Sequence, residues 1–565
     1  MKNREKMQKL KKTLCGGRFF VGVMLFLVIF PGVVFTKRVV KADEIDLVSE
    51  EEFQKIMEAC KENQGLLSEG EVALTLNNSR LPYDEKENIW YVAQNPGNCI
   101  WEGILGLSEK EAGLFVLDDG YMRKKEASIR EGHLFEAVIV KDREYARTSL
   151  VVSGMPVLCI ETENTWQPEY PIEDIDNYVF NSELRCLGDI TIFNANGNSG
   201  TYSKPEYGMG GGYRIVKAKV SYHTRGNTSD NFEKKSYALK LTDEDGEEKR
   251  ENLFGLGESA DWKLLAGAGD MTKVREKTAW QLWQEMADGQ SLVSEGVSAM
   301  EYCEIVLDGG YIGMYQIMKS PDKNTLDLQE TDVLYKFLQA EMPLEEDIQS
   351  SIDAGYPVCY PIRIRYPGQE TVSQDPAGYW EPMRQYLSAA YWHTDFEALY
   401  SLIDLENTMD YYLFLEATSG WDNACKNTYH IARWTEEGEM RMLTIPWDLN
   451  YTFGDEYTTE LEQNKTRFNP DVTQLYTEPV IRQLFMNNTH KEEDILRDRW
   501  KKYRQDIFSD EHVLGLMQEN MEYMQGTGAF RRDSVRWPMQ NNSSDLTRIM
   551  EYERERLRFL DEYFG

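Results

Sequence analysis

The chain has 565 residues, too many for one ordinary domain of roughly 100–200 residues. Its 96 Asp+Glu outnumber 62 Lys+Arg, a formal charge of −34, which excludes a general nucleic-acid binder and a folded surface that clings to anionic lipid. Hydrophobic residues make up 41%, enough to build a large core and to exclude global disorder.

The N-terminus reads as a targeting segment. Lys2, Arg4, Lys6, Lys9, Lys11, Lys12 and Arg18 precede an apolar stretch from Phe19 to Phe35, near the lower limit of about 17 residues for a spanning helix. The heavier positive charge before the stretch predicts a cytoplasmic N-terminus and an exported remainder, with this segment touching the membrane. Val40-Lys41-Ala42 offers small residues for cleavage before Asp43, so residues 1–42 fit either a signal peptide or an uncleaved anchor. The eight cysteines include no C-x-x-C pair, which argues against a zinc knuckle and leaves isolated buried thiols.

Residues 44–65 are predicted as a helix from Leu47, Phe53, Ile56 and Met57. Short β-type runs between turn residues then suggest a small β-rich module over 43–154. Strands continue to about residue 245. A helix follows over 272–287, with Val274, Ala279, Leu282 and Trp283 on one side. Strands return over 298–318 around a turn at Asp308-Gly309-Gly310. Beyond 380 the chain reads as mostly helical, with stripes at Leu496, Trp500, Tyr503 and Ile507 and at Leu546, Ile549, Leu557, Leu560 and Phe564. Strands first and helices later make an α+β arrangement.

The segment 404–454 carries the clearest chemistry. A helix to about Thr418, stopped at Gly420, leads into Asp422-x4-Asn427. A predicted hairpin, Thr428–Trp434 with Met440–Ile445, then delivers Asp448, Asn450 and Phe453-Gly454. Phosphoryl transfer needs this set: one carboxylate for the hydroxyl proton, and an amide and a second carboxylate for the divalent metal on the nucleotide phosphates. Asp422 is then the base, and Asn427 and Asp448 are metal ligands. Taken singly, the same residues could cap a turn and end a strand. Upstream, Lys235 shares strand parity with Tyr237, Leu239 and Leu241, so it should face inward and need an anionic partner. Arg225-Gly226-Asn227 could wrap a phosphate through its guanidinium and backbone N–H groups. Gly208–Tyr213 lacks a third correctly spaced glycine and reads as a flexible loop.

The segments RGNTS…KKSYALKL, LFGLGESADWKLLAGAGDMTKVRE, DGGYIGMYQI and IPWDLNYTFG, in this order, resemble the CotH family of spore-coat kinase-like proteins from about residue 155 to the C-terminus. The resemblance implies an atypical two-lobed protein-kinase-like domain over 155–565, with a β-rich N-lobe and a helical C-lobe. It implies transfer of the ATP γ-phosphate, with Mg2+ or Mn2+, to Ser/Thr of a cell-envelope or spore-associated protein. Residue by residue it maps catalytic roles onto Asp422 and Lys235, and nucleotide binding onto Arg225, Gly226, Asn227, Lys234, Lys235 and Arg275. Metal binding falls to Asn427, Asp448 and Asn450. Arg275, paired in the family with an Asp at position 270, is either a phosphate contact or a salt bridge locking the lobes. Two departures stand out: Asn450 replaces the second acid of Trp-Asp-x-Asp, and Lys319 stands where a Glu is usual. Two other readings compete: a surface binding or adhesion protein on the same scaffold with weakened catalysis, and a glycoside hydrolase with two carboxylates in an aromatic groove.

Overall fold

The computed structural model describes residues 25–30, 33–38, 46–94, 105–166, 172–173, 180–181, 185–196, 213–226, 232–288, 299–424, 426–454, 469–473 and 479–565. Asn227, Gly208–Gly212, the cleavage position before Asp43, and Cys15, Cys99 and Cys425 lie outside them. The chain divides into two compact units, one of residues 1–81, 103–119 and 135–149 and one of residues 82–102, 120–134 and 150–565. The junction expected at 154/155 falls inside the second.

In the first unit, Leu25–Phe30 pairs antiparallel with Val33–Arg38. The helix expected over Phe19–Phe35 is therefore replaced, where the chain is described, by strands. The sequence explains this: the runs Leu25–Phe30 and Val33–Arg38 are rich in Val, Ile and Phe, which favour strand, and the dipeptide Pro-Gly between them disfavours a continuous helix. Among the described residues no helix is long and apolar enough to cross a membrane. The helix expected over 44–65 runs over Glu50–Ala59. Ser49 caps it reciprocally with Glu52, each accepting the other's backbone N–H. Phe53, Ile56 and Met57 are buried against Val138 and Tyr145. Leu47 instead lies exposed in the strand Asp46–Val48, which pairs in parallel with Gly113–Leu117.

The second unit contains a closed seven-stranded barrel. Its strands are β1 (Val157–Trp166), β2 (Arg185–Phe193), β3 (Ile215–Arg225), β4 (Ser236–Thr242), β5 (Asp261–Leu265), β6 (Met300–Leu307) and β7 (Gly310–Lys319). The order is β1-β2-β3-β4-β5-β7-β6, and β6 closes on β1 in parallel. Alternating apolar residues fill the inside, among them Ile190, Val220, Leu239, Leu241, Trp262, Leu264, Ile305, Tyr315 and Ile317. The β6–β7 turn is the two residues Asp308 and Gly309, both at positive φ (48° and 67°), which suits the twist of a tight hairpin.

A second sheet follows, built on β8 (Val333–Phe337) at its centre. β8 lies between β10 (Ile362–Tyr366) and β11 (Thr428–Trp434), with β9 (Val358–Cys359) and β12 (Met440–Pro446) at the edges. The hairpin β11–β12 is the one read from the sequence. Strands β8 to β10 were not foreseen, because every residue of β8 is buried and its run shows no alternation.

Helices α1 (Arg275–Ala287), α2 (Leu405–Thr418), α3 (Glu492–Arg504), α4 (Asp510–Gly526), α5 (Ala529–Arg536) and α6 (Thr547–Phe564) complete the frame. The unit is thus mixed α and β, as expected. α1 is buried almost all round: Trp280 and Met286 join Ala279, Leu282 and Trp283 in the core. Trp283 meets Tyr411 and Phe414 of α2 edge-on, at ring distances of 5.8 and 5.2 Å. The stripes of α3 and α6 are buried as read, while Ile507 and Leu546 sit just outside their helices. α2 ends at Ser419, whose φ of 53° takes the left-handed conformation expected of Gly420.

Candidate functional site

A cavity of about 340 Å³ within the second unit collects residues from both the barrel and the second sheet. That volume suits a small-molecule ligand, for which pockets of about 300–1,000 Å³ are usual.

On the barrel side, β3 ends at Arg225, and Gly226 follows at a φ of 128°. Both line the cavity, and the Arg225 guanidinium lies 5.8 Å from the Trp447 ring. Lys234, just before β4, also lines it. Its ammonium is fully buried, donates to Asp533 Oδ1 of α5 at 2.7 Å and sits 4.7 Å over the Tyr315 ring. Burial alone would raise the Asp533 pKa, but Lys234 and Lys273 outweigh it and hold this carboxyl below its ordinary value.

The loop from Leu265 to Asp270 forms one wall with small residues, Ala266-Gly267-Ala268-Gly269, that let a ligand approach the backbone. Asp270 closes the loop. Its Oδ1 accepts from the Thr272 backbone and hydroxyl (2.9 and 2.7 Å) and from Arg275 Nη1 at 2.8 Å, and its Oδ2 accepts the Arg275 backbone N–H at 3.0 Å. Arg275 therefore does not line the cavity. It is the buried partner of an acid five residues away and starts α1, so the salt bridge is local and does not lock one half of the fold to the other. The next residue, Glu276, does line the cavity. Burial, then Asp448, push its carboxyl up to about 8, opposed by Arg225.

On the sheet side, the turn after α2 presents Asp422, which is buried. Its carboxylate accepts Asn427 Nδ2 at 2.7 Å and pairs with Lys426 Nζ at 2.8 Å. Asn423 ties this turn to the strand that follows, donating through Nδ2 to the Trp447 carbonyl at 2.6 Å. Trp447 N–H in turn donates to the Asn427 carbonyl at 2.8 Å. These bonds fix Asp422 and Asp448 against each other. Asn427 and Asp448 both take positive φ, 53° and 59°, a conformation that Asn and Asp tolerate better than other side chains. Asp448 is exposed because it faces the cavity. The protein packed around it raises its pKa, Arg225 opposes the rise, and Asp422 adds to it. Lys336 of β8 is buried on the same cavity, 5.6 Å from the rings of both Tyr429 and Trp447.

The fold thus brings together Arg225, Gly226, Lys234, Asp422, Asn427, Asp448 and Asn450. It does not bring Lys235, which stands half-buried ahead of β4 and off the cavity wall. Strand parity misassigned it because β4 begins only at Ser236, so the alternation does not extend back to 235. Lys319 is buried on β7 and is not on the cavity either. Sequence reasoning missed Glu276, Lys336, Lys426 and the rings of Trp421 and Tyr451, which lie 5.9 Å apart in the lining. One available signal was a lysine inside the apolar run of β8, since a buried charge needs a partner. Among the described residues no group of three or more His, Cys, Asp or Glu side chains could hold a metal ion.

Residues 222–560 match the family model described as CotH kinase protein, more than half of the chain. The chain belongs to the CotH kinase family. Every residue lining the cavity falls inside the CotH match, as does Asp533, whereas β1 and β2 precede it. Among curated proteins, none matches the chain. Membership gives this CotH protein a kinase-related function.

Proposed function

We propose that the chain is an atypical protein kinase that moves the ATP γ-phosphate to a Ser/Thr hydroxyl of a cell-envelope or spore-associated protein. The observation that carries this reading is the convergence of Asp422, Asn427 and Asp448 with Arg225 and Lys234 on one cavity, from segments distant in the chain. On this reading the barrel and the helical remainder are the two lobes, and the cavity between their elements is the cleft. Asp422 accepts the proton of the attacking hydroxyl, and the hydroxyl oxygen bonds to the γ-phosphorus as ADP leaves. Lys426 holds Asp422 in place. Arg225, Lys234 and the backbone of the Ala266–Gly269 loop bind phosphate oxygens.

The residues present fit a divalent cation of the magnesium type. Hard cations take oxygen ligands, and the carboxylate of Asp448 with the amide oxygens of Asn427 and Asn450 would hold one. Asn450 Oδ1 is buried without a hydrogen-bond partner, an orphaned oxygen of the kind a cation satisfies. Once bound, the ion would neutralise phosphate charge. Export to the cell surface by the basic and apolar N-terminus completes the proposal. Fractionation of the producing cells tests it, and a chain found only in the cytosol would rule it out.

The decisive experiment is transfer of label from γ-labelled ATP to Ser/Thr acceptors, alongside calorimetric titration with Mg-ATP or Mn-ATP. No binding at millimolar nucleotide would end the kinase reading. Asn450 favours one alternative, a kinase-like surface binding protein with weakened catalysis, because an amide brings no charge to the metal. That alternative predicts nucleotide binding without transfer.

A further inference from the structure

Glu276 is an acid on the cavity wall to which the reading above gives no task. It sits in the first turn of α1, is only 5% exposed, and lines the cavity. Asp448 acts on its carboxyl, and Asp448 and Asn450 line the same cavity. Its Oε1 has no hydrogen-bond partner. Asn450 Oδ1, on the same cavity, has none either. A buried carboxylate oxygen without a donor is costly, and a second carboxylate nearby makes it more so. Arg225 acts on both Glu276 and Asp448, but its Nε is itself buried and unpartnered, so that atom does not supply the missing donor.

Two carboxylates and one amide oxygen lining one cavity make an all-oxygen donor set that can bring two negative charges to a cation. That is the chemistry of a hard divalent cation, not of zinc, which prefers nitrogen and sulfur. We propose that Glu276 is a metal ligand, its Oε1 completing a site with Asp448 and Asn450 Oδ1 for Mg2+ or Mn2+. The assignment rests on the phosphotransferase reading and adds to it the charge that Asn450 does not bring.

The test is Mn2+ uptake by the full chain without nucleotide, followed by the electron paramagnetic resonance signal of free Mn2+. Glu276→Gln keeps the size of the side chain and one oxygen while removing its charge, and it should weaken Mn2+ binding by about tenfold or more. The same variant should lose the Mn2+-induced rise in melting temperature. Asn450→Asp should tighten Mn2+ binding by about tenfold and restore it in the Glu276→Gln background. Parent-like Mn2+ affinity in Glu276→Gln would overturn the assignment. Should that variant fail to fold, unchanged affinity in Asn450→Asp alone overturns it. A parent chain that takes up no Mn2+ overturns both this assignment and the metal of the proposed reaction.

Discussion

The barrel wall and the sheet wall of the cavity treat charge in opposite ways. On the barrel wall, Arg225 Nε aside, charges are paired: Lys234 with Asp533, both fully buried, and Asp270 with Arg275 and Thr272. Around the sheet wall they are left incomplete, the Asp422–Lys426 pair aside: Asp448 faces the cavity, Asn450 Oδ1 lacks a partner, and so does Oε1 of Glu276, which reaches the cavity from α1. Paired buried charges add little net stability but fix geometry, since breaking one leaves an isolated ion. Incomplete ones remain available to a ligand. The contrast assigns shape to one wall and chemistry to the other.

The largest effects should come from the sheet wall. Asp422→Ala should lower label transfer from γ-labelled ATP by at least about a hundredfold, the usual weight of a positioned base, with nucleotide binding kept. Asp448→Ala should instead weaken Mg-ATP binding by about 10–100-fold in calorimetry. Transfer that persists in both variants would break the assignment of chemistry to this wall.

The barrel wall should answer in stability. Asp533→Ala strands the Lys234 ammonium in the interior and should cost about 3–5 kcal/mol in urea denaturation. Removing both charges, Lys234→Met with Asp533→Leu, should return most of that stability while nucleotide binding stays impaired. Full recovery of binding in the double variant would mean that Lys234 serves shape alone.

How much of this was legible in sequence depends on distance along the chain. Asp422, Asn427 and Asp448 could be read because one helix, one turn and one hairpin place them, and each has a local signature. Asp533 could not, since it meets Lys234 across 299 residues and nothing in Arg532-Asp533-Ser534 marks it. Glu276 was hidden beside Arg275, which drew attention for a charge that the fold spends on Asp270. Barrel strands β1 to β4, β6 and β7 fall in segments read as strands, whereas β5 lies beyond the limit of about residue 245 and was missed, as was β8, because a strand buried on both faces has no period to detect. Ser419 in place of Gly420 shows the same limit at one residue: a left-handed helix end favours glycine but does not require it.

Glu553 of α6 sharpens the contrast. It too is a buried acid, with neither carboxylate oxygen hydrogen-bonded, yet it does not line the cavity. Burial pushes its carboxyl up to about 8 from an ordinary 4.5, against the pull of Arg556. Because the folded value is raised, its contribution to stability is complete below about pH 4.5 and is lost as pH climbs through about 8. Glu553→Gln should therefore match the parent near pH 4.5 and exceed it by about 2–4 kcal/mol near pH 9. Thermal melts across that range check this, and added Mn2+ should change nothing that depends on residue 553. A metal response at Glu553 would show that an unpartnered acid is no guide to a site.

The smallest effect probes the loop that joins shape to chemistry. Gly267 sits at a φ of 56°, and its carbonyl accepts Lys273 Nζ at 2.6 Å. A Cβ there would lie 3.3 Å from Lys273 Cδ, which a flexible side chain can relieve, so the backbone conformation is the larger cost. Gly267→Ala should lose about 1–2 kcal/mol in urea denaturation, the penalty of a left-handed non-glycine residue. If the Ala266–Gly269 backbone contacts phosphate, the same change should raise the Mg-ATP dissociation constant several-fold, because the loop can keep its binding shape only under strain. A stability loss with unchanged nucleotide affinity would place the loop wholly with the barrel's architecture and leave phosphate recognition to Arg225 and Lys234.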